Sequence, residues 1–420
     1  MPDNADFPGA TPSDRQALPL WRILPSIGGI YVAQSLVGGL TFMGIPAVLR
    51  AEGVPLEQVG LVSLLMLPWA LKFLWAPLAE RWRIRPDGRR RTRQMVATGQ
   101  MLCALGLAAL ALAGADVGRV MFGILALTAL AAATVDIAVD AFAVEQLAVA
   151  DRGWGNTAQV GGGYLGMVLG GGVFLALVPQ LGWNVAAGLM AATVLLLALP
   201  LVFGAEPERP ALANIPHRPS LAYAFARPEV RRGLLVTVLF EAGVRLVQPL
   251  AGPVLVDRGL DLSLIGLVNG AGAVGAGLLG TLIGGLAVRR MGAERAVLMA
   301  ATAQVTAILA LAGALMTGAG PLVLAGLVVA MTFAMAMGFV CLYALLMGLS
   351  SLRQAGVDFT LFQCADAAIA GLAGYGAALV AGRIGYGPSF LAAAAIAALG
   401  VLAIRLLRGG PHSLLPETKA

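Results

Sequence analysis

Apolar runs of about 20 residues or more follow one another along nearly the whole chain, separated by short breaks rich in Gly, Pro and Arg. A helix of that length crosses the roughly 30 Å hydrocarbon core of a bilayer. Lipid offers no partner to a backbone N–H or C=O, so spanning segments are helices or the strands of a closed barrel. Barrel strands read as roughly ten-residue stretches of alternating polarity, and the runs here are longer and do not alternate. The fold class is therefore an all-α polytopic membrane protein, with the lipid bilayer as its solvent. Composition agrees, because 59% of the residues are hydrophobic and only 12% charged. The net charge of +6 would suggest a nucleic-acid partner in a soluble protein. In a membrane chain the same arginines are topology signals, and no nucleic acid is expected.

The runs divide into about twelve spans. They are Trp21–Val48, Leu56–Glu80, Gln94–Ala115, Gly118–Leu147, Thr157–Pro179, Asn184–Phe203, Gly233–Val256, Leu262–Val288, Glu294–Met316, Pro321–Leu349, Ala355–Gly382 and Pro388–Leu407. With the N-terminus inside, 22 Lys and Arg fall on inner segments and 4 on outer ones. That bias places both termini in the cytoplasm. The tail 1–20 lacks the apolar stretch of a cleaved leader, so the first span is the expected insertion signal. The segment 205–232, rich in Pro and Arg, reads as a cytoplasmic linker with a short helix near Ser220–Phe225. It separates a bundle over 21–204 from one over 233–407, which is followed by a cytoplasmic tail, 408–420.

The two bundles repeat one another. Pro46–Val62 aligns without a gap on Gly252–Val268. Val48, Leu49, Gly53, Leu56, Gly60, Leu61 and Val62 meet Val254, Leu255, Gly259, Leu262, Gly266, Leu267 and Val268. This resembles the major facilitator superfamily, whose parallel six-helix halves enclose a midplane site.

Polar groups inside the spans are the functional candidates, because an ionisable side chain in a bilayer costs at least roughly 2.5–3.5 kcal/mol and is normally turned to a partner or cavity. Lys72 is one of only two lysines, the other being Lys419. Asp136 and Asp140, four apart, share one face of the fourth span at a comparable depth. Lys72 is expected to pair with one of them, either as a fixed packing pair or as a gate that breaks during transport. Glu145, nearer the interface, is expected to cap or to meet an arginine. Glu241, Arg245 and Gln248 form a polar stripe on the seventh span, with Arg245 suited to an anionic group and Glu241 to a proton. Tyr31, Gln34 and Ser35 on the first span and Tyr343 on the tenth are further cavity candidates. On the eleventh, Gln363 and Asp366 share a face, and Asp358 is expected to cap the helix.

Glycine clusters in the fifth, eighth and eleventh spans suit close helix approach, and the expectation is a sliding interface between halves. Cys103, Cys341 and Cys364 lie in apolar helix and are expected to be free thiols. His217 and His412 have no metal-ligand neighbours in sequence, so no metal or other cofactor is called for. No HExxH, Gly-x-Ser-x-Gly or second Asp-rich motif is present, which argues against an enzyme.

The runs Leu67–Trp82, Gly88–Arg91, Val135–Leu147 and Ala355–Gln363 resemble the AmpG-like branch of the facilitators, and the likeness extends over most of the chain. That branch holds muropeptide permeases, acetyl-CoA transporters and RhtX/FptX-type siderophore importers. The Val144–Leu147 and Gly356–Thr360 runs look closer to the siderophore group. The resemblance implies a monomer in the bacterial inner membrane, importing a siderophore or ferric siderophore by proton symport and alternating access. A muropeptide or other small-metabolite permease is the alternative. The usual loop after the second helix, Gly-x-x-x-Asp-Arg-x-Gly-Arg-Arg, is reduced here to Glu80, Arg81, Gly88, Arg89 and Arg90.

Overall fold

In a computed structural model, residues 18–53, 61–85, 89–113, 119–207 and 217–409 are described. The apolar runs fold as helices, and among the described residues there is no regular sheet and one β-bridge, Ile84 with Arg90, which ties the ends of a single loop. The spans are α1 (Leu20–Ala51), α2 (Leu61–Leu74 continued by Ala76–Arg83), α3 (Thr92–Ala113) and α4 (Arg119–Gln146). A 54-residue helical stretch, Val149–Val202, follows. At about 1.5 Å per residue it is far too long for one crossing. It reverses at Gly182, whose φ of 79° and ψ of 162° are non-helical, giving α5 (152–181) and α6 (183–202). The second half is α7 (Pro228–Asp257), α8 (Leu264–Met291), α9 (Ala293–Met316), α10 (Pro321–Leu349), α11 (Ala355–Ile384) and α12 (Tyr386–Gly409). The result is two six-helix repeats.

The repeat is visible in packing. In the first half α1 packs on α5, and α3 on α4 and α6; in the second, α7 packs on α11, and α9 on α10 and α12. The aligned glycines Gly53 and Gly259 both turn the chain after the first helix of their half, with φ of 84° and 77°. Only glycine takes that conformation without strain. Leu56 and Gly60 of the same alignment lie outside the described residues.

Two elements depart from expectation. The second span is not one continuous helix. It passes from 3-10 (Leu61–Met66) to α (Leu67–Leu71) to 3-10 (Lys72–Leu74) and then, bent by 61°, to α again (Ala76–Arg83). Pro77 explains the break, since it brings no N–H and its ring crowds the carbonyl four residues back. Lys72 therefore sits at a bend. The seventh span begins at Pro228 rather than Gly233, because Pro228 fits the first helical turn after an extended Arg227. The connector holds a short helix, Leu221–Ala226, capped by the Ser220 hydroxyl, which accepts from Tyr223 N–H at 3.2 Å.

The buried core is divided unequally. One end of the bundle carries the start of α1, the α2–α3 loop and the connector, and is called the junction end. There a single apolar core runs through both halves, from Ile23 and Val139 to Leu345 and Phe362. At the far end each half has its own core, one around Leu36, Leu107 and Phe174, the other around Val254, Ile308 and Phe390. Packing between halves uses the junction-side parts of α2, α4, α5, α8, α10 and α11. The bundle is thus closed at the junction end and parted at the far end.

The glycine expectation holds only in part: Gly161 of α5 and Gly277 of α8 do face the other half, where an added Cβ would lie 3.4 Å from Thr281 Oγ1 and 2.4 Å from the Tyr164 ring. Gly153 of α5 meets α8, where an added Cβ would lie 2.6 Å from the Gly285 carbonyl. Gly162, Gly166 and Gly170 instead press against α1 inside their own half. In α11, Gly371 and Gly376 have open space around them, because this length of the helix lies where the halves are parted. Gly170→Ala would put a methyl 1.9 Å from the Leu36 carbonyl, an overpacking that costs about 1–3 kcal/mol or more. Its thermal melt in detergent should drop clearly, whereas Gly371→Ala should melt at or above the wild-type temperature.

Candidate functional site

Among the described residues, three cation sites lie inside the bundle, each built on two carboxylates. Lys72, 2% exposed at the α2 bend, bonds to Asp136 and to Gln363 of α11, with Asp140 Oδ2 at 3.7 Å. Tyr31 of α1 donates to Asp140 Oδ1, which also accepts from Gln159 of α5 and from Gln363, each at 3.3 Å. Gln34, with its amide turned to satisfy both groups, donates to Asp136 Oδ1 at 2.7 Å. Both aspartates therefore contact the lysine, and Asp136 is the closer.

The second cluster belongs to the other half. Arg245 of α7 lies 3.0 Å from Glu241 and bonds to Asp366 of α11 at 2.5 Å and to Gln248 at 2.9 Å. Tyr343 of α10 donates to the second Asp366 oxygen at 3.1 Å, and Phe339 places its ring face 4.9 Å from the guanidinium carbon. Such a face attracts a cation. Gln363 and Asp366, read as neighbours on one cavity face, are divided between the clusters. The helix turn separating them lets α11 join the two.

The third cation, Arg83, is fully buried at the junction end. Its Nε and Nη2 donate to Glu80 at 2.8 and 2.9 Å, its Nη1 and Nη2 to Glu145 at 3.2 and 2.6 Å, and its Nη1 to Thr92 at 3.0 Å. All five guanidinium N–H donors are engaged. Arg90 adds a second cation 3.4 Å from Glu145. Glu80 also accepts from the Gly356 N–H of α11 at 3.3 Å, so the network reaches across the halves.

This cluster changes the reading of the α2–α3 loop. Arg83, not Arg81, holds Glu80; Arg81 points outward and donates to the Pro219 carbonyl of the connector at 2.9 Å. Helix phase explains the exchange, since Arg83 is three residues from Glu80 and shares its face. Arg89 offers its carbonyl to Arg85 N–H at 3.0 Å, and Gly88 lies outside the described residues. Asp358, expected to cap α11, instead accepts from Ser351 N–H ahead of the helix at 2.9 Å, from the Gln354 side chain at 2.7 Å and from Arg227 at 2.5 Å, while the N-cap position is Gln354. Gln159, Arg83 and Gln354 were not singled out from sequence. A lone glutamine among the α5 glycines was the available signal for the first; seven arginines between 81 and 93 hid the second.

The bonds that cross the halves differ from those within them. Lys72–Asp136 lies inside the first half. Across the divide run Lys72–Gln363, Asp140–Gln363, Glu80–Gly356, Thr157 to the Thr281 carbonyl at 2.8 Å, and Asn156 to Met347 at 3.2 Å. The three cysteines are buried and free, and no group of metal-ligating side chains occurs among the described residues.

The profile of the Major Facilitator Superfamily matches residues 27–375. The chain belongs to that superfamily. The anhydromuropeptide permease of Escherichia coli K12 is 29% identical over 277 residues, 64% of this chain and 55% of the relative. The chain spans little more than half the length of that relative. Solved facilitators share the fold. The E. coli fucose:proton symporter superposes with a TM-score of 0.69 at 15% identity, covering 91% of this chain and 98% of that one. A bacterial homologue of the iron transporter ferroportin, in an outward-facing state, gives 0.65 at 16%, covering 92% and 97%.

Removing Arg83 would strand two buried carboxylates beside a single remaining arginine. Breaking such a site costs about 3–5 kcal/mol, while an exposed single bond such as that of Arg81 is worth about 1 kcal/mol. Arg83→Leu should therefore lower the melting temperature in detergent far more than Arg81→Leu, and equal shifts would contradict the assignment of the buried partner.

Proposed function

We propose that the chain imports an anhydromuropeptide across the bacterial cytoplasmic membrane by proton-coupled alternating access. The carrying observation is the Lys72 cluster, a buried charged group on the closed side of a parted bundle, built by the first half and touched by α11 of the second. The substrate class comes from the E. coli permease, which is similar over 64% of this chain. With the arginine bias placing the junction end in the cytoplasm, the described state is closed inward and open outward.

A siderophore as substrate rests on the Val144–Leu147 and Gly356–Thr360 runs. Glu145, Gly356 and Asp358 of those runs serve the junction-end networks. The Glu145 and Asp358 carboxylates and the Gly356 N–H hold the closed end together and so carry no preference for a substrate. This favours the muropeptide reading.

Alternating access in a facilitator is largely a rocking of one half against the other. Lys72 and Asp136 would move together in such a motion, so the gate is formed by what crosses the halves: Gln363 on Lys72 and Asp140, and Gly356 on Glu80. Substrate would meet the polar groups that face the parting, namely Arg245, Gln248, Tyr343 and Asp366 with Tyr31 and Gln34. Its arrival would compete with the bonds that α11 makes to both clusters.

Cells expressing the protein should take up labelled anhydromuropeptide and not a ferric siderophore; the reverse result would restore the siderophore reading. Lys72→Ala should abolish that uptake with the protein still present in the membrane, and a wild-type rate would remove the cluster from the transport path. A protonophore should collapse accumulation, whereas insensitivity would exclude proton coupling.

A further inference from the structure

The three buried cation sites are built alike but balanced differently. At the junction end, Arg83 and Arg90 face Glu80 and Glu145, two cations against two carboxylates. At the other two sites one cation faces two carboxylates: Lys72 with Asp136 and Asp140, Arg245 with Glu241 and Asp366. In each, one carboxylate takes the direct pair and the other is left over. Asp136 bonds directly to Lys72, while Asp140 crowds its contacts onto Oδ1 and leaves a fully buried Oδ2 without a hydrogen-bond partner. Asp366 bonds to Arg245 and Tyr343, while Glu241, also fully buried, has neither oxygen in a hydrogen bond. Its 3.0 Å approach to Arg245 Nε is off the axis a hydrogen bond requires.

Among the described residues, the surroundings supply no second cation. Around Asp140 stand Lys72, Asp136, Tyr31, Gln159 and Gln363, contributed by α2, α4, α1, α5 and α11. Around Glu241 stand Arg245 on its own helix, Asp366 from α11 and Tyr343 from α10. The neighbouring α9 and α12 carry charge only in their end turns, at Glu294, Arg295, Arg405 and Arg408. An uncompensated buried carboxylate is strongly unfavourable, and a proton removes the charge.

From this geometry we infer that each half holds its own transported proton, on Asp140 Oδ2 in the first half and on Glu241 in the second, so that two protons accompany each substrate. This deepens the proton-coupled reading given above. Both acids belong to clusters that α11 joins, through Gln363 and Asp366. Rearrangement of α11 on substrate binding would therefore reach both. Opening of the junction end would admit water to the two carboxylates, and each would release its proton inward.

Infrared difference spectroscopy on the purified, substrate-free protein tests the inference without any transport. At neutral pH the wild type should contain two protonated-carboxyl carbonyl bands, of which Asp140→Asn removes one and Glu241→Gln the other. A wild-type spectrum with one band or none, or both bands surviving in either variant, would overturn it. The wild-type band count decides the matter even where a variant fails to fold. In proteoliposomes, anhydromuropeptide accumulation should follow the square of the imposed proton gradient, and a first-power dependence would exclude two protons. If anhydromuropeptide is not transported at all, the substrate reading fails while the infrared bands still decide the proton sites.

Discussion

No charge can be left alone inside the helix bundle, and that constraint arranges its interior. Lys72, Arg83 and Arg245 each lie between two carboxylates, at least one of them on another helix. Lys72 of α2 draws on α4, Arg83 of α2 draws on α4 as well as its own turn, and Arg245 of α7 draws on α11. Apolar helices gain little from packing on one another in lipid, whose tails are equally apolar. The buried ion groups therefore decide which helices must be neighbours. They also fix helix rotation, since a carboxylate turned one residue away could not reach its cation.

The core follows the same division. A single apolar core binds both halves where the Arg83 network and the α5–α8 contact cross the divide. Beyond the Lys72 and Arg245 clusters the halves keep separate cores. The polar clusters thus stand at the level where a shared core gives way to a parted one. Side chains at that level can be covered or exposed by a small rotation of one half, which is what an alternating site requires. The bend in α2 adds to this. A straight helix would continue its apolar face past residue 72, whereas the Pro77 break turns Lys72 inward and lets Ala76–Arg83 lean on the junction end.

Much of this was legible in the sequence. The apolar runs, the arginine bias and the Gly53–Gly259 repeat carry the fold, because each reflects a constraint acting on local sequence alone. The charged residues of the spans were legible too, since a charge within an apolar run has few uses. Their pairings were less so. Spacing put Asp136 and Asp140 on one face, but only the fold brings Gln363 to them from a helix more than 220 residues later. The loop motif could not tell Arg81 from Arg83, because the distinction depends on where α2 resumes after its bend. The α11 glycines read as a packing surface because sequence records which residues are small, not whether a neighbour is present in a given state.

The assignment of roles follows from which bonds lie within a half and which lie between halves. Lys72 with Asp136 has the look of a gate in sequence, being a buried pair on two helices. Yet both helices belong to the first half, and a rigid rocking motion leaves their separation unchanged. What must change is the position of α11, which contributes an uncharged amide to one cluster and a carboxylate to the other. An amide is suited to the crossing position. Losing its bonds to Lys72 and Asp140 leaves no unpaired charge on α11, so the interface can open at a cost far below that of separating buried ions. The charged pairs remain whole within their halves, and each contact that cycles has an uncharged amide on its α11 side. On the proposed rocking motion the buried ion pairs would serve as fixed frames for the two carboxylates left over beside them, and the moving parts of the site would be the groups of α11 that pass between the frames.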